Sequence, residues 1–207
     1  AALCVLYYSA IFPFQRFATD MLQSNLGITA KQASDIFRWF PIGAMVLTPL
    51  LGSYLDHRGK GATMLLLGAI LMPACHLIFA LVPLTPLIAY SAIILLGISF
   101  SLVPAALWPS VPKLIENRLL GSAYAVIFWI QNIGLMAFPI IIGWSLNVSN
   151  PGVAEQIKEG VEGAAYNYTV PMLIFSCLGI AAFLLGLWLK AQDRSKGYGL
   201  ELPNIKK

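Results

Sequence analysis

Long stretches without charged side chains alternate with short polar segments along this chain. Residues 39–55 and residues 61–112 contain no Asp, Glu, Lys or Arg. An α-helix rises about 1.5 Å per residue and a bilayer core is roughly 30 Å thick, so the longer stretch can cross a membrane at least twice. The strict alternation of a transmembrane β-barrel is missing. The pattern therefore predicts an all-α membrane protein.

Length and hydrophobicity predict six transmembrane helices in one unit over residues 1–191. Pro83 and Pro86 separate the third span from the fourth, because proline disfavours the continuation of a helix. A polar segment with Glu155 and Glu159 precedes the sixth span and predicts a short surface helix. The predicted spans cover residues 3–22, 33–54, 62–82, 87–111, 119–146 and 168–189, and residues 192–207 form a predicted cytoplasmic tail.

The composition makes a lipid bilayer the expected partner of most of the surface. Hydrophobic residues make up 58% of the chain and charged residues 11%, whereas about 25% of a typical soluble protein is charged. The net charge of +4 lies at a few positions and forms no patch suited to nucleic acid. The three cysteines lie in apolar spans, and the sequence has no metal-ligand motif or catalytic array. We therefore expect no cofactor, no metal site and no enzyme activity.

The distribution of Lys and Arg predicts the orientation of the bundle. Cytoplasmic loops of membrane proteins carry an excess of these residues. Lys31 and Lys158 fall on one predicted side of the membrane. The opposite side collects Arg58, Lys60, Lys113, Arg118, Lys190, Arg194, Lys196, Lys206 and Lys207. We therefore expect both chain ends, and the turn between the second and third spans, to lie in the cytoplasm.

That turn, residues 52–60, is a charged island between two apolar spans. Gly52 predicts a close approach of two helices, and Gly59 predicts a backbone angle that a tight reversal requires. Asp56 can cap a helix N-terminus or pair with a cation. Arg58 and Lys60 supply charges that can form and break contacts, although as isolated residues they also fit a simple membrane anchor. Together the five residues predict a cytoplasmic gate.

The pattern of this turn, G-x-x-x-D-x-x-G-K, resembles the signature loop of the major facilitator superfamily. The resemblance implies a twelve-helix carrier fold, of which this chain would supply the C-terminal six helices as a 3+3 inverted repeat. It also implies that the protein moves a small-molecule solute by alternating access. The chain begins inside a predicted helix without an initiator Met, and we expect a missing N-terminal six-helix half as its partner.

Polar residues within the first two spans are candidates for a substrate cavity, because ionisable groups are costly in lipid. Tyr8 and Arg16 share a face of the first span, on either side of Pro13. Arg16 either binds a substrate carboxylate or extends to the membrane interface. Arg38 opens the second span, where it either binds a carboxylate or pairs with Asp35 as an ordinary interfacial anchor.

The fourth and fifth spans contribute further candidates. Trp108 lies near Pro109 at the end of a face of small residues, which suits stacking against a substrate, although the aromatic belt of a membrane protein is the alternative. Tyr124, Gln131 and Asn132 are aligned along the fifth span. The two amides need polar partners at membrane depth, and these are either the substrate or neighbouring helices.

Three strings resemble one branch of the superfamily, the lysosomal dipeptide uniporters and their bacterial relatives. They are F-P-F at residues 12–14, A-L-W-P at residues 106–109 and Q-N-I-G-L at residues 131–135. The resemblance implies transport of dipeptides or similar zwitterions, with Trp108 lining the site. A proton-coupled carrier of organic anions or sugars is the alternative, although Asp20 and Asp35 lie at span edges rather than at membrane depth. The short loops favour a bacterial inner membrane, with the lysosomal membrane as the alternative.

Overall fold

The computed structural model describes residues 1–205, which form eight α-helices, one 3-10 turn and no β-strand. This confirms the predicted all-α class. The helices are α1 (Ala2–Leu26), α2 (Ala30–Phe37), α3 (Trp39–Arg58), α4 (Gly61–Leu81), α5 (Pro86–Leu114), α6 (Leu120–Ser149), α7 (Val153–Lys158) and α8 (Thr169–Lys196), with the 3-10 turn Asn117–Leu119 between α5 and α6.

Local capping signals set several helix boundaries. The side chain of Thr29 accepts a hydrogen bond from the backbone N–H of Gln32 and completes a capping box at the start of α2. Thr85 caps α5 in a similar way, and Pro86 occupies a first-turn position that needs no N–H donor. Gly27 ends α1 in the left-handed region, with φ 63°. Short polar loops therefore separate the long helices.

The six long helices pack in a pattern that repeats itself. α3 packs on α5 as α1 packs on α6, α4 packs on α5 as α1 packs on α8, and α4 and α8 pack on each other. Exchanging α1 with α5, α3 with α6, and α4 with α8 reproduces the five most extensive interfaces, whereas the smaller contacts of α6 with α5 and α8 have no counterpart of similar extent at α3. The exchange relates the first three long helices to the last three, as a 3+3 repeat requires.

Five segments are long and apolar enough to cross a membrane. They are Ala30–Arg58, Gly61–Leu81, Pro86–Leu114, Asn117–Ser149 and Thr169–Lys196. The first predicted span coincides with α1, which is not among the five, because Gln15, Arg16 and Asp20 lower its hydropathy. The helix is nevertheless central to the bundle, since Tyr7 and Phe14 are fully buried. That α1 crosses the membrane stays a prediction.

α3 and α6, which the exchange interconverts, are the least buried of these membrane-length segments. Both carry large apolar side chains on their exposed faces. The most exposed of these are Met45, Val46 and Leu50 on α3, and Val126, Trp129, Met136, Ile140 and Trp144 on α6. Because such faces are stable only against lipid or another apolar surface, they mark the outside of this six-helix unit.

Two predicted segments differ from the structure. The second span, predicted over residues 33–54, is divided at Arg38 into α2 and α3, where Pro41 lacks the N–H that would donate to the carbonyl of Phe37; α3 then continues to Arg58. The tail, predicted over residues 192–207, begins inside α8, which continues to Lys196. Residues 206 and 207, with their two lysines, lie outside the described residues. The predicted surface helix before the sixth span is confirmed as α7.

The charged turn at residues 52–60 defines one end of the bundle, which we call the hairpin end. α8 also ends here, since Lys190 lies 3.0 Å from Glu201 in the segment that folds back from α8. Lys113, in the last turn of α5, contacts the same segment. At the opposite end, the hydroxyl of Tyr168 donates to Asp20 and joins α8 to α1. Most Lys and Arg residues of the described chain therefore collect at the hairpin end.

Candidate functional site

Aromatic side chains from α1, α5 and α6 form a continuous surface, which we call the aromatic panel. Its members are Tyr8, Phe12, Phe100, Trp108, Tyr124 and Phe128. The indole of Trp108 lies near its centre, with ring centroids 4.9 Å from Phe128 and 6.1 Å from Tyr8 in nearly parallel arrangements. Tyr8 in turn stacks on Phe12 at 5.4 Å. Offset and edge-on ring pairs at such separations are favourable.

Helical periodicity explains why these rings meet. The panel residues of α1 are four positions apart, as are those of α6, and those of α5 are eight apart, so each helix presents one aromatic face. Phe12 and Phe128 are 37% and 47% exposed, whereas Tyr8 is buried. The panel is therefore anchored in the bundle on one side and open on the other.

Two hydrogen bonds fix the position of Trp108. Its indole Nε1 donates to the hydroxyl of Tyr8 at 3.1 Å, and the hydroxyl of Tyr124 donates to its backbone carbonyl at 3.1 Å. That carbonyl lacks the usual helical donor, because the residue four positions later is Pro112. Pro112 thus leaves the carbonyl of Trp108 without a helical hydrogen bond, and the hydroxyl of Tyr124 supplies the missing donor. Tyr124, predicted as a cavity residue, therefore positions Trp108 in this conformation.

Arg16 lines an open cavity beside the panel. The cavity measures about 390 Å³, lies between α1 and α6, and shares Phe12 with the panel. Pro13 and Pro139 line it too, and Pro139 leaves the carbonyl of Leu135 without its helical donor. Arg16 is exposed and forms no ion pair with any described residue. Its guanidinium can therefore bind a carboxylate in a fork geometry.

The two amides predicted on α6 face different surroundings. Gln131 is buried, and its Oε1 accepts a hydrogen bond from the thiol of Cys4 at 3.3 Å. Asn132 is exposed, and its Nδ2 donates to the carbonyl of Phe128 in its own helix at 2.8 Å. Consecutive helical residues point about 100° apart, so the pair cannot share one face. Gln131 joins α6 to α1, and Asn132 is the accessible amide.

Arg38 lies apart from the panel, at the break between α2 and α3. Its Nη1 is 3.1 Å from the Oδ1 of Asp35, and both side chains are largely exposed. The predicted Arg–Asp pair is thereby confirmed. Asp35 offsets the charge of Arg38, which makes Arg16 the better placed of the two arginines.

The predicted gate lies in the turn between α3 and α4, residues 52–60, which we call the hairpin. Gly59 adopts φ 76°, which is the positive angle predicted for it, and Lys60 follows with φ 68°, an uncommon value for a residue other than glycine. A Cβ placed on Gly52 would meet no atom within 4 Å. The close helix approach predicted at Gly52 is therefore wrong within residues 1–205.

The charged residues of the hairpin also differ from the prediction. In this conformation Asp56 neither caps a helix nor pairs with a cation among the described residues; its Oδ1 accepts a hydrogen bond from the amide of Asn204 at 2.7 Å. Arg58 is exposed at the end of α3. The partner of Asp56 lies 148 positions away, which is why no local pattern indicated it.

The sequence did not indicate every residue of this region. Phe12, Phe100 and Phe128 were not predicted as site residues, although the four-residue spacing of Phe12 from Tyr8 is a usable signal. Glu201 and Asn204 were assigned to a tail without a role. Their contacts with the hairpin end join residues 138 and 148 positions apart.

Several known proteins resemble this chain. A family model described as "Major Facilitator Superfamily" matches residues 1–201. A protein from Danio rerio, named "Lysosomal dipeptide transporter MFSD1", is 36% identical over 146 residues, which cover 70% of this chain and 31% of that protein. Proteins of the same name from Bos taurus and Homo sapiens are 34% and 32% identical over 145 residues, covering 70% of this chain and 30% of each protein.

The aligned region therefore spans less than a third of these relatives, so it carries the family assignment and not the activity of a whole protein. The family match over nearly the full chain agrees with the all-helical bundle, its membrane-length apolar helices and its repeated packing pattern. The chain belongs to the major facilitator superfamily and is a multi-pass membrane protein of the transporter class, not an enzyme.

Proposed function

We propose that this chain is the C-terminal half of a carrier that moves dipeptides or similar zwitterions across a membrane by alternating access. The observation that carries the proposal is the juxtaposition of an unpaired guanidinium and an open aromatic surface. Arg16 lines a cavity that shares Phe12 with the panel around Trp108. A dipeptide has a carboxylate, an ammonium group and apolar side chains. In this half, Arg16 can bind the carboxylate and the panel can contact the apolar side chains.

Each residue of the proposed binding site has its own role. Arg16 binds the carboxylate of the solute through two parallel hydrogen bonds. Trp108 and Phe128 provide the stacking surface, Tyr8 holds the indole, and Tyr124 holds the backbone beneath it. The ammonium group requires an acceptor, which we assign to the N-terminal half.

The N-terminal half is proposed to pack where this half is least covered. α3 and α6 are the most exposed membrane-length segments, and each carries large apolar side chains. A second six-helix unit rocking against this one would cover part of these faces and close the cavity from alternate sides. The dipeptide relatives support the same arrangement, because the region they share with this chain is less than a third of their length.

The membrane that holds the carrier is also a proposal. The short loops suit a bacterial inner membrane. The similar proteins from Danio rerio, Bos taurus and Homo sapiens have "lysosomal" in their names, which supports the lysosomal alternative. The two are distinguished by locating the tagged full-length protein in its own host cell.

Uptake of a radiolabelled dipeptide into proteoliposomes containing the full-length protein tests the proposal. We expect saturable uptake, and we expect Arg16→Gln to raise the KM about tenfold or more, because a charge-assisted bidentate contact contributes roughly 1.5–3 kcal/mol. Arg118→Gln is the matched control, since Arg118 is exposed and pairs only with neighbouring Glu116. An unchanged KM in Arg16→Gln would remove this arginine from the site.

The proton-coupled alternative predicts a different response. A carrier of organic anions or sugars driven by protons would accelerate in a pH jump that makes the outside of the vesicle more acidic. A uniporter would respond only to the gradient of its solute. Equal uptake with and without the pH jump would exclude proton symport.

A further inference from the structure

The segment that follows α8 crosses the hairpin and hydrogen-bonds to its backbone. We call this segment, residues 197–205, the strap. The N–H of Lys60 donates to the carbonyl of Glu201 at 2.9 Å, and the N–H of Gly61 donates to the carbonyl of Leu200 at 3.1 Å. The N–H of Ile205 donates to the carbonyl of Asp56 at 3.1 Å. The hairpin thus binds a segment of turns and bends by main-chain contacts, which do not depend on side-chain identity.

Two glycines leave the space that the strap occupies. A Cβ on Gly59 would lie 2.7 Å from the backbone carbon of Leu202, and one on Gly61 would lie 2.7 Å from the carbonyl oxygen of Leu200. These distances are too short for real Cβ contacts, and both neighbours are backbone atoms that cannot rotate away. The glycine required at the tight reversal is therefore also required for the strap to approach.

Side chains from the surrounding helices complete the contact. On α8, Lys190 lies 3.0 Å from the carboxylate of Glu201, and Asp193 accepts a hydrogen bond from the N–H of Leu200 at 3.0 Å. On α5, Lys113 donates to a strap carbonyl at 2.7 Å. The hydroxyl of Thr63, on α4, donates to Glu201 at 2.6 Å. With Asp56 on α3, four long helices hold the strap.

The strap is not fully satisfied in this conformation. The second carboxylate oxygen of Glu201 and the amide oxygen of Asn204 are buried without a hydrogen-bond partner among the described residues. Buried acceptors without a donor reduce the net stability of a contact. The ion pair of Glu201 also lies at the protein surface, where such pairs contribute little. The contact is therefore specific in geometry but can be released.

We propose that the hairpin is a docking surface for the strap, that the strap occupies it in the conformation described here, and that the strap leaves it during the transport cycle. Asp56 accepts a hydrogen bond from Asn204 while the strap is docked, so it is free for a partner in the rest of the protein only after release. The role of strap release in the transport cycle rests on the proposed function, whereas the docking of the strap on the hairpin does not depend on it.

A reversible cross-link tests docking first. Asp56→Cys and Asn204→Cys are combined in the full-length protein, in a Cys177→Ser background because Cys177 is exposed. Their native side chains touch, so a mild oxidant or a short bifunctional thiol reagent should join the pair efficiently. Asp35→Cys with Asn204→Cys is the matched control and should give no product, because Asp35 lies beyond α3 from the hairpin. No excess of cross-linking over this control would overturn the docking.

Transport by the cross-linked protein tests release. We expect dipeptide uptake to fall about tenfold or more when the strap is locked and to recover on reduction, because a carrier held in one state cannot complete its cycle. Full activity in the locked state would overturn the requirement for release. Uptake by the protein with native Asp56 and Asn204 separates the two proposals: if that protein moves no dipeptide, the proposed solute fails and not the strap.

A second measurement follows release without any solute. The rate at which a maleimide labels Asn204→Cys should rise about threefold or more when Glu201→Gln removes the charge that Lys190 binds, since even a weak surface ion pair of this kind contributes up to about 1 kcal/mol. Glu159→Gln, which changes an exposed carboxylate next to α7, is the matched control. Equal labelling rates in the two variants would overturn the role of Glu201 in holding the strap.

Discussion

The aromatic panel and the hairpin with its strap are held together by different forces. The panel depends on ring stacking between α1, α5 and α6, with two hydrogen bonds to Trp108. The strap depends on hydrogen bonds to backbone groups and on one surface ion pair. Buried Tyr8 anchors the panel, whereas water competes for the exposed contacts that Thr63, Lys113 and Lys190 make with the strap. The hydrogen bond from Leu200 to Asp193 is the buried part of the strap contact. The difference separates a surface suited to binding a solute from one suited to changing partners.

The largest expected effect comes from removing the centre of the panel. Trp108→Ala deletes the stacking on Tyr8 and Phe128 and leaves the hydroxyl of Tyr8 without its donor. Each aromatic pair contributes about 0.5–1.5 kcal/mol, so we expect dipeptide kcat/KM to fall about tenfold to a hundredfold. Trp188→Ala is the control, because Trp188 is 62% exposed on α8, which contributes no ring to the panel. Equal losses in both variants would show that the panel has no special role.

The glycines of the hairpin allow a sharper comparison within one element. Gly59→Ala forces a Cβ onto a backbone with φ 76° and against strap atoms at 2.7 Å. We expect the thermal midpoint of the purified protein to fall, and the 56–204 cross-link to weaken, at a cost of about 1–3 kcal/mol. Gly52→Ala should leave both unchanged, since no atom lies within 4 Å of its Cβ position. If the two variants behave alike, strap docking does not depend on Gly59.

The sequence predicts more of the aromatic panel than of the strap, and the reason is physical. Tyr8, Trp108 and Tyr124 were predicted because helical spacing places residues on faces, and the panel is built from three such faces. Gln131 and Asn132 were predicted on one face and occupy two, because adjacent helical positions diverge by about 100°. The strap was not predicted at all. Its contacts with Asp56, Lys60 and Gly61 join residues more than a hundred positions apart, and most of these are made by backbone groups that every residue has.

A smaller effect is expected from the hydrogen bond between the hydroxyl of Tyr124 and the carbonyl of Trp108. Tyr124→Phe removes the donor to the carbonyl of Trp108, at a cost of about 0.5–1.5 kcal/mol in unfolding free energy. Pro112→Ala restores a helical N–H for the same carbonyl. The double variant should therefore lose less than the sum of the two single effects, measured as a double-mutant cycle of thermal or denaturant unfolding. Strict additivity would mean that the hydroxyl of Tyr124 and Pro112 act independently.

The smallest expected effect is the response of the strap to pH. Burial raises the pKa of Glu201, but hydrogen bonds from Thr63 and Lys190, with the charge of Lys190, outweigh it and hold the pKa below its usual value of 4.5. A carboxyl whose pKa is lowered by docking stabilises the docked state fully above that usual value and loses the effect as the pH falls through the lowered one. The other charged groups facing the strap are Asp56, Lys113 and Asp193.

The reacting form of cysteine is the thiolate, so the 56–204 cross-linking rate is divided at each pH by the reactivity of an exposed cysteine. This normalised rate should be constant from neutral pH down to about pH 5, and it should decline only below the usual pKa of 4.5. Glu201→Gln should lower the cross-linking at neutral pH and should reduce its decline at acidic pH, because the glutamine amide does not titrate. The strap is predicted to face the cytoplasm, whose near-neutral pH would leave it docked, and release would depend on movement of the two halves. A decline already complete near pH 6 would instead assign the response to a group other than Glu201, since carboxyls with lowered pKa values remain ionised there.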